Sequence, residues 1–245
     1  QRVEQRTAEV QRSNRELDQF AYVASHDLKA PLRAINLLAT WIAQDAAEFL
    51  PAASNEHLAK LQGRVRRMET LLDDLLAYSR AGRQRHPAES VDTNELVHSM
   101  VELIAPPPGF QVNVIGQLPV LRVERTPFET VFRNLISNAV KHHHNPATGV
   151  VEISAHDVET PEQKHLIEFV FKDNGPGIDP AYHQRIFEMF QTLKPRDQVE
   201  GSGIGLAVAK RTVESRGGSI QVESALGEGA TFRFTWPKHT ATTLG

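Results

Sequence analysis

Phe20-Ala-Tyr-Val-Ala-Ser-His-Asp-Leu-Lys-Ala-Pro-Leu32 holds a single histidine, His26, in a run whose apolar residues recur at helical spacing. Followed in both directions, the recurrence steps by four and three through Val3, Thr7, Val10, Asn14, Leu17, Ala21, Ala24, Leu28, Pro31, Ile35, Leu38 and Ile42. A heptad seam sustained this long predicts a coiled coil running into a helical bundle. A second seam, Leu58, Leu61, Val65, Met68, Leu72 and Leu75, comes after residues 49–55, where Pro51 and Ser54 break one helix and can start the next. Two antiparallel helices cannot cover two full seams alone, so a dimer forming a four-helix bundle is the economical arrangement.

Helical geometry also places the histidine. At about 100° per residue, Ala24, Leu28, Ile35 and Ile42 fall within about 40° of one another, and His26 lies roughly opposite them. Tyr22, Lys29 and Arg33 share its face, which predicts a solvent-facing imidazole beside two cations rather than a buried structural one. Pro31 removes an i→i−4 hydrogen bond within the same helix and favours a kink. Asn14, polar on the leading seam, suits a register-fixing role.

Composition narrows the class. The chain has 245 residues and a formal net charge of −3, so bulk electrostatics call for neither nucleic acid nor an anionic membrane. It has no cysteine, hence no disulfide scaffold, thiolate metal site or cysteine nucleophile, which fits a cytoplasmic location. No run approaches the ~20 apolar residues of a membrane span, and no signal peptide precedes the first helix. The sequence begins without Met inside a charged helical pattern and reads as a piece of a longer protein.

Beyond a polar stretch at 82–90, read as a linker, the periodicity changes. Asp92 or Thr93 is a plausible N-cap for a helix with Leu96, Met100 and Leu103 on one face. Strands are predicted at 111–115, 121–124, 150–156, 166–172, 219–223 and 231–236, and helices at 127–142 and 204–215. Strands adjacent in sequence suggest a mixed, largely antiparallel sheet backed by helices on one face, an α/β sandwich. The organisation expected is a coiled-coil helix over 1–16, a helical hairpin over 17–81, the linker, an α/β domain over 91–238 and a tail over 239–245.

Three motifs fall in the second half. Asn134-Leu-Ile-Ser-Asn-Ala-Val-Lys141 sets Asn134, Asn138 and Lys141 four and three apart, on one helical face. Asp173-Asn-Gly-Pro-Gly-Ile178 ends a strand and turns sharply, its glycines permitting close backbone approach. Gly201-Ser-Gly-Ile-Gly-Leu206 opens a helix; it lacks the Gly-Lys-Ser/Thr ending of a Walker loop and does not fit the dinucleotide pattern. A glycine-rich helix N-terminus is an anion site, so phosphates belong there. Between the last two motifs lie Ile186-Phe-Glu-Met-Phe190 and a polar segment, 191–200, whose Lys194 and Arg196 suit a lid over phosphates.

In this order and at these separations, the motifs resemble the kinase core of a two-component sensor histidine kinase, from about Leu17 to Trp236. The resemblance is to a HisKA-type dimerisation and phosphoacceptor domain plus a GHKL-type ATPase domain, of the kind that follows PAS or phytochrome sensory modules. It implies that His26 receives the γ-phosphoryl group of ATP, and that the Asp27 carboxylate holds Nδ1 so that Nε2 is the nucleophile. It implies that Asn138 gives its amide oxygen to Mg²⁺ while Asn134 and Lys141 approach the phosphates. Asp173 would accept from the adenine amino group, with Gly175, Gly177 and Ile178 shaping that turn. Gly201, Ser202, Gly203, Ile204, Gly205 and Leu206 would hold phosphates, Lys194 would reach them from the lid, and Thr231, after Gly227-Glu-Gly-Ala, should reach the adenine pocket.

Where many relatives have an aromatic residue after the lysine, His142 stands, followed by His143 and His144. His142 could stack on ribose or adenine. The triple His could also form a fortuitous metal site, but the favoured reading of His143 and His144 is an exposed helix end where cationic His suits the dipole. The partners implied are a second copy of the chain, a response regulator receiver domain and an upstream sensory domain; no nucleic acid and no membrane contact by this piece are expected. The rival readings are an ATP-driven conformational machine of the GHKL type and a degenerate dimeric scaffold. The position four residues after the histidine, often Thr or Asn in relatives that dephosphorylate their regulator, is Ala30, so weak phosphatase activity is expected.

Overall fold

The structure is a computed structural model that describes Ser25 and residues 27–82, 87–158, 165–192 and 202–238. It divides into two compact units that meet at Arg80 and Ala81.

The first unit is a helical hairpin. Helix α1 (residues 27–45, with Ser25 also helical) runs through Pro31, and α2 spans Ala52–Arg80. The turn between them is closed by Phe49 and Leu50 N–H groups on the Ala46 carbonyl, and Pro51 precedes α2 with its carbonyl accepting from Ser54 and Asn55. Lys29 pairs with Asp73, and Gln62 Nε2 donates to Thr40 Oγ1 at 3.1 Å. Eleven residues forward from Lys29 to Thr40 match eleven back from Asp73 to Gln62, the register of a straight antiparallel pair.

The stripe of α1 buried against its own chain is Ser25, Leu32 and Ala39, one residue per heptad. The predicted seam lies about 60° further round the helix. Its members Leu28, Ile35, Leu38 and Ile42, with Leu61 and Met68 from α2, are all 40% or more exposed, while Val65 is buried. Ala24, the coiled coil over 1–16 and the face of His26 lie outside the described residues.

The second unit is an α/β sandwich. In order come β1 (Glu89–Asp92), α3 (Thr93–Ile104), β2 (Gln111–Val114), β3 (Val120–Val123), α4 (Arg125–His142), β4 (Val150–Asp157), β5 (Leu166–Asp173), α5 (Gly205–Glu214), β6 (Ile220–Ser224) and β7 (Ala230–Pro237). The main sheet has the order β2-β4-β5-β7-β6; only β2 and β4 run parallel. Strand β1 pairs with β3 in a separate two-stranded ribbon. The polar stretch at 82–90 therefore ends in strand rather than linker: Val91 is buried opposite Leu121, and one apolar anchor in Glu-Ser-Val-Asp leaves no alternation to read.

Asp92 caps α3, its Oδ1 accepting from Asn94 N at 2.8 Å and Glu95 N at 3.4 Å. Leu96 and Met100 are buried as predicted, with Val97, whereas Leu103 is 65% exposed because the helix core shifts to the 96/97/100 stripe. The core between α4 and the sheet is aromatic. Phe128 and Phe132 project from α4 onto Phe169 and Phe171 of β5 and Phe234 and Trp236 of β7. Register pairs Phe169 with Phe234 and Phe171 with Phe232, so alternate residues of both strands face the helices.

Candidate functional site

Alternation along β5 delivers the central carboxylate. Ile167, Phe169 and Phe171 face the core, so Asp173, two residues on, faces the same side at the strand's end. Its Oδ1 accepts the backbone N–H of Gly175 at 2.8 Å and of Ala230 at 3.2 Å. Oδ2 makes no hydrogen bond among the described residues. Burial pushes this carboxyl up from its ordinary value, against the downward pull of those two amides.

The turn after Asp173 is latched to the turn between β6 and β7. Gly177 has φ +73°, and a Cβ there would collide with the carbonyl oxygen of Ala225, so only glycine fits. Gly227 N–H donates to the Pro176 carbonyl at 2.8 Å. Ile178 N–H donates to Ser224 Oγ at 2.8 Å, and that hydroxyl donates to the Gly229 carbonyl at 2.6 Å. Thr231 is not brought to Asp173. It pairs with Lys172, and alternation turns both to the opposite face of the sheet. Ala230 is the β7 residue that meets the carboxylate, through its amide.

On α4, Asn134, Asn138 and His142 are half-buried and Lys141 is exposed. Neither asparagine side chain makes a hydrogen bond among the described residues, and Lys141 makes no hydrogen bond or ion pair among them. Both amides are half-buried and uncommitted, so one face of α4 presents two polar groups that a ligand can take up without breaking a bond of the fold. Asn134 lies against the start of α5, where a Cβ on Gly205 would come within 3.0 Å of its Oδ1. Ile204, buried at the N-cap, offers no side-chain cap, and its own N–H is taken by Ser202 Oγ at 3.1 Å. The first-turn amides of α5 are thus left for an anion.

Gly203 adopts φ +71° where the chain closes on Phe190 and Gln191; a Cβ would stand 2.7 Å from the Gln191 carbonyl oxygen. Ile186 is buried and Phe187 stands edge-on to Phe232 at 6.3 Å, so the segment before the lid is anchored in the core. Ala139, Ile178 and Leu206, one from each motif, pack on the same core. Asp27 is exposed on α1. His26, Lys194, Gly201 and residues 193–200 of the predicted lid lie outside the described residues.

His143 corrects the exposed helix-end reading. It is 7% exposed, wedged edge-on to Phe110 and stacked with His144, with both ring nitrogens in contact: Nε2 to Asn174 Oδ1 at 2.9 Å and Nδ1 to the Asn145 N–H at 3.0 Å. The chain leaves helical geometry at His143, which turns the ring inward instead of out to solvent. No cluster of three or more His, Cys, Asp or Glu that could hold a metal occurs among the described residues. A hard cation here would need oxygen from a bound phosphate, and the unspent amide of Asn138 fits as its neutral protein ligand. Sequence reasoning missed Ala230 and the His143–Asn174 pair. Counting back by twos from Phe234 would have found the first; nothing in the sequence announces the second.

A mixed sheet with helices on one face, phosphate-type glycine turns and unspent asparagines defines a nucleotide-binding domain. Residues 124–240 match the histidine kinase-, DNA gyrase B- and HSP90-like ATPase family. Residues 16–84 match the His Kinase A (phospho-acceptor) domain. With both domains in tandem, the chain belongs to the histidine kinases, as a HisKA plus GHKL-type core.

Cyanobacterial phytochrome B of Nostoc sp. (strain PCC 7120) is 39% identical over 231 residues, which cover 93% of this chain and 30% of that protein. The adaptive-response sensory kinase SasA of Synechococcus sp. (strain JA-3-3Ab) is 30% identical over 228 residues, 90% of this chain and 59% of that one. Among solved structures, full-length ShkA in complex with AMPPNP superposes with a TM-score of 0.70 at 26% identity, covering 91% of this chain and 46% of that one. The chain thus spans about 30% of the phytochrome and under two thirds of the other two. No helix among the described residues is long and apolar enough to cross a membrane.

Proposed function

We propose that the chain transfers the γ-phosphoryl group of Mg-ATP to His26 and passes it to an aspartate of a response regulator receiver domain, working as a homodimer. The observation that carries the ATP half is the Asp173 carboxylate, one oxygen held by the Gly175 and Ala230 amides and the other left for a base. Asn134 and the α5 N-terminus lie where phosphates are expected, and Lys141 adds the cation on the same face of α4. Asn138 would hold Mg²⁺, which when bound neutralises phosphate charge.

For the acceptor half, support comes from the Ser-His-Asp-Leu-x-x-Pro run and from the phospho-acceptor match that includes it. In this reading Asp27 would accept the Nδ1–H of His26 and leave the Nε2 lone pair to attack the γ-phosphorus. The N–P bond forms as the bond to the β-phosphate oxygen breaks, and its electron pair leaves on ADP. The exposed seam of the hairpin supports the homodimer, and relatives of the phytochrome kind support an upstream sensory domain.

Incubation with γ-labelled Mg-ATP tests the reading. Label should appear as an acid-labile, alkali-stable phosphoramidate and vanish in His26→Gln, while ATP affinity persists. Similar labelling of the variant would exclude His26 as the acceptor.

A further inference from the structure

His143 borders the nucleotide site without facing it, and its chemistry is fully specified by its neighbours. Nδ1 receives the Asn145 N–H, so it carries no proton; Nε2 faces Asn174 Oδ1, so it carries one. Which end of the Asn174 amide is oxygen is settled by contacts other than the histidine. Its Oδ1 also accepts Val150 N–H at 2.7 Å, its Nδ2 donates to the Thr148 carbonyl at 3.0 Å, and its own N–H donates to the Val150 carbonyl at 3.2 Å. Oδ1 therefore has both lone pairs engaged, one of them by the imidazole.

Asn174 is the residue between Asp173 and Gly175, and the Gly175 N–H holds Asp173 Oδ1. The imidazole also abuts this turn directly: a Cβ on Gly175 would lie 3.7 Å from His143 Cδ2. We propose that His143 is a positioning residue of the adenine pocket: as the neutral, Nε2-protonated imidazole it fixes Asn174, and the Asn174 turn aims the Asp173 carboxylate at the base. The inference rests on the reading of Asp173 as the adenine acceptor and adds the group that sets its direction. A ring that only filled space would tolerate either tautomer. This one places its single donor on the residue next to the carboxylate, with the Phe110 ring edge-on against it at 5.8 Å.

Glutamine and asparagine each copy half of this imidazole. Glutamine carries an N–H donor as far as Nε2 reaches; asparagine keeps an acceptor near Nδ1 but stops short of Asn174. In the full chain, His143→Gln should keep ATP affinity within about threefold of the parent, and His143→Asn should lose about tenfold, the size of one displaced hydrogen bond. The preference for ATP over GTP should shrink in His143→Asn by the same factor, while affinity for inorganic tripolyphosphate stays that of the parent.

Two results would overturn the positioning role alone. One is an unchanged ATP/GTP preference in both His143 variants while Asp173→Asn abolishes it. The other is a parallel loss of tripolyphosphate affinity, the mark of a merely structural histidine. If Asp173→Asn itself leaves the ATP/GTP preference intact, the adenine acceptor and the residue that aims it fall together.

Discussion

Asp173 is kept ionised at a cost. Because burial raises its folded-state pKa above the unfolded value, the folded chain binds that proton more tightly than the unfolded chain does. The ionised carboxyl therefore lowers stability at neutral pH, and the cost fades as pH falls through the raised pKa. Asp173→Asn keeps an oxygen for the Gly175 and Ala230 amides and removes the charge. Calorimetry at pH 7.5 should show the ATP-binding unit of the variant melting higher than the parent, with the gap closing toward acid pH. Its ATP affinity should fall about 10- to 100-fold, since a charge-assisted hydrogen bond is lost. In the parent, ATP affinity should decline as pH falls, sooner than protonation of an ordinary, solvated aspartate would make it. A lower melting point of the variant at pH 7.5 would show that burial is not the dominant influence on this carboxyl. The residue was legible in the sequence because a strand ending in Asp-Asn-Gly-Pro-Gly is distinctive. Its β7 neighbour was readable only by alternation from Phe234 and Phe232, since a shift of one residue exchanges Ala230 for Thr231 across the sheet.

The helix α4 separates two kinds of asparagine-bearing surface. Asn174, on the turn below, spends both ends of its amide within the fold, whereas Asn134 and Asn138 spend neither among the described residues. Asn138→Ala should therefore leave the unfolding free energy within about 0.5 kcal/mol of the parent, while removing most of the Mg²⁺-dependent part of ATP affinity. The check is a pair of titrations with Mg²⁺ and with EDTA; an unaltered Mg²⁺ dependence would remove Asn138 from the metal site. Most helices and strands were readable from periodicity, down to the Asp92 cap. The exceptions have physical causes: β1 is four residues with one apolar anchor, and Leu103 falls outside the 96/97/100 stripe that α3 buries. The hairpin seam was readable, but not the division of labour that puts Ser25, Leu32 and Ala39 inside and Leu28, Ile35, Leu38 and Ile42 outside. Ile35→Glu uses that division. A charge there is solvated in a single chain but unpaired in a four-helix bundle, where it should cost about 3–5 kcal/mol. Light scattering at micromolar concentration should report a monomer with ATP affinity intact; a dimer unchanged by the substitution would place the interface elsewhere.

At the scale of the whole molecule, the output of the proposed kinase depends on what hydrolyses its product. Ala30 is exposed on α1 and has no group to orient a water. Release of free phosphate from a purified phospho-regulator should be slow with this chain and should rise about tenfold or more in Ala30→Thr, by the gain from positioning the attacking water. Brisk release by the parent, with no gain in the variant, would show that another side chain holds the water.

The two-stripe hairpin has one more consequence. Only Ser25, Leu32 and Ala39 of α1 are buried within the chain, while Leu28, Ile35, Leu38 and Ile42 face outward, so much of the driving force for this element resides in whatever covers it. Folding and assembly then share one equilibrium, and concentration becomes a structural variable. In the proposed homodimer, dilution should loosen the hairpin as heat does, while the ATP-binding unit, with its aromatic core closed within one chain, should be indifferent to how many copies surround it.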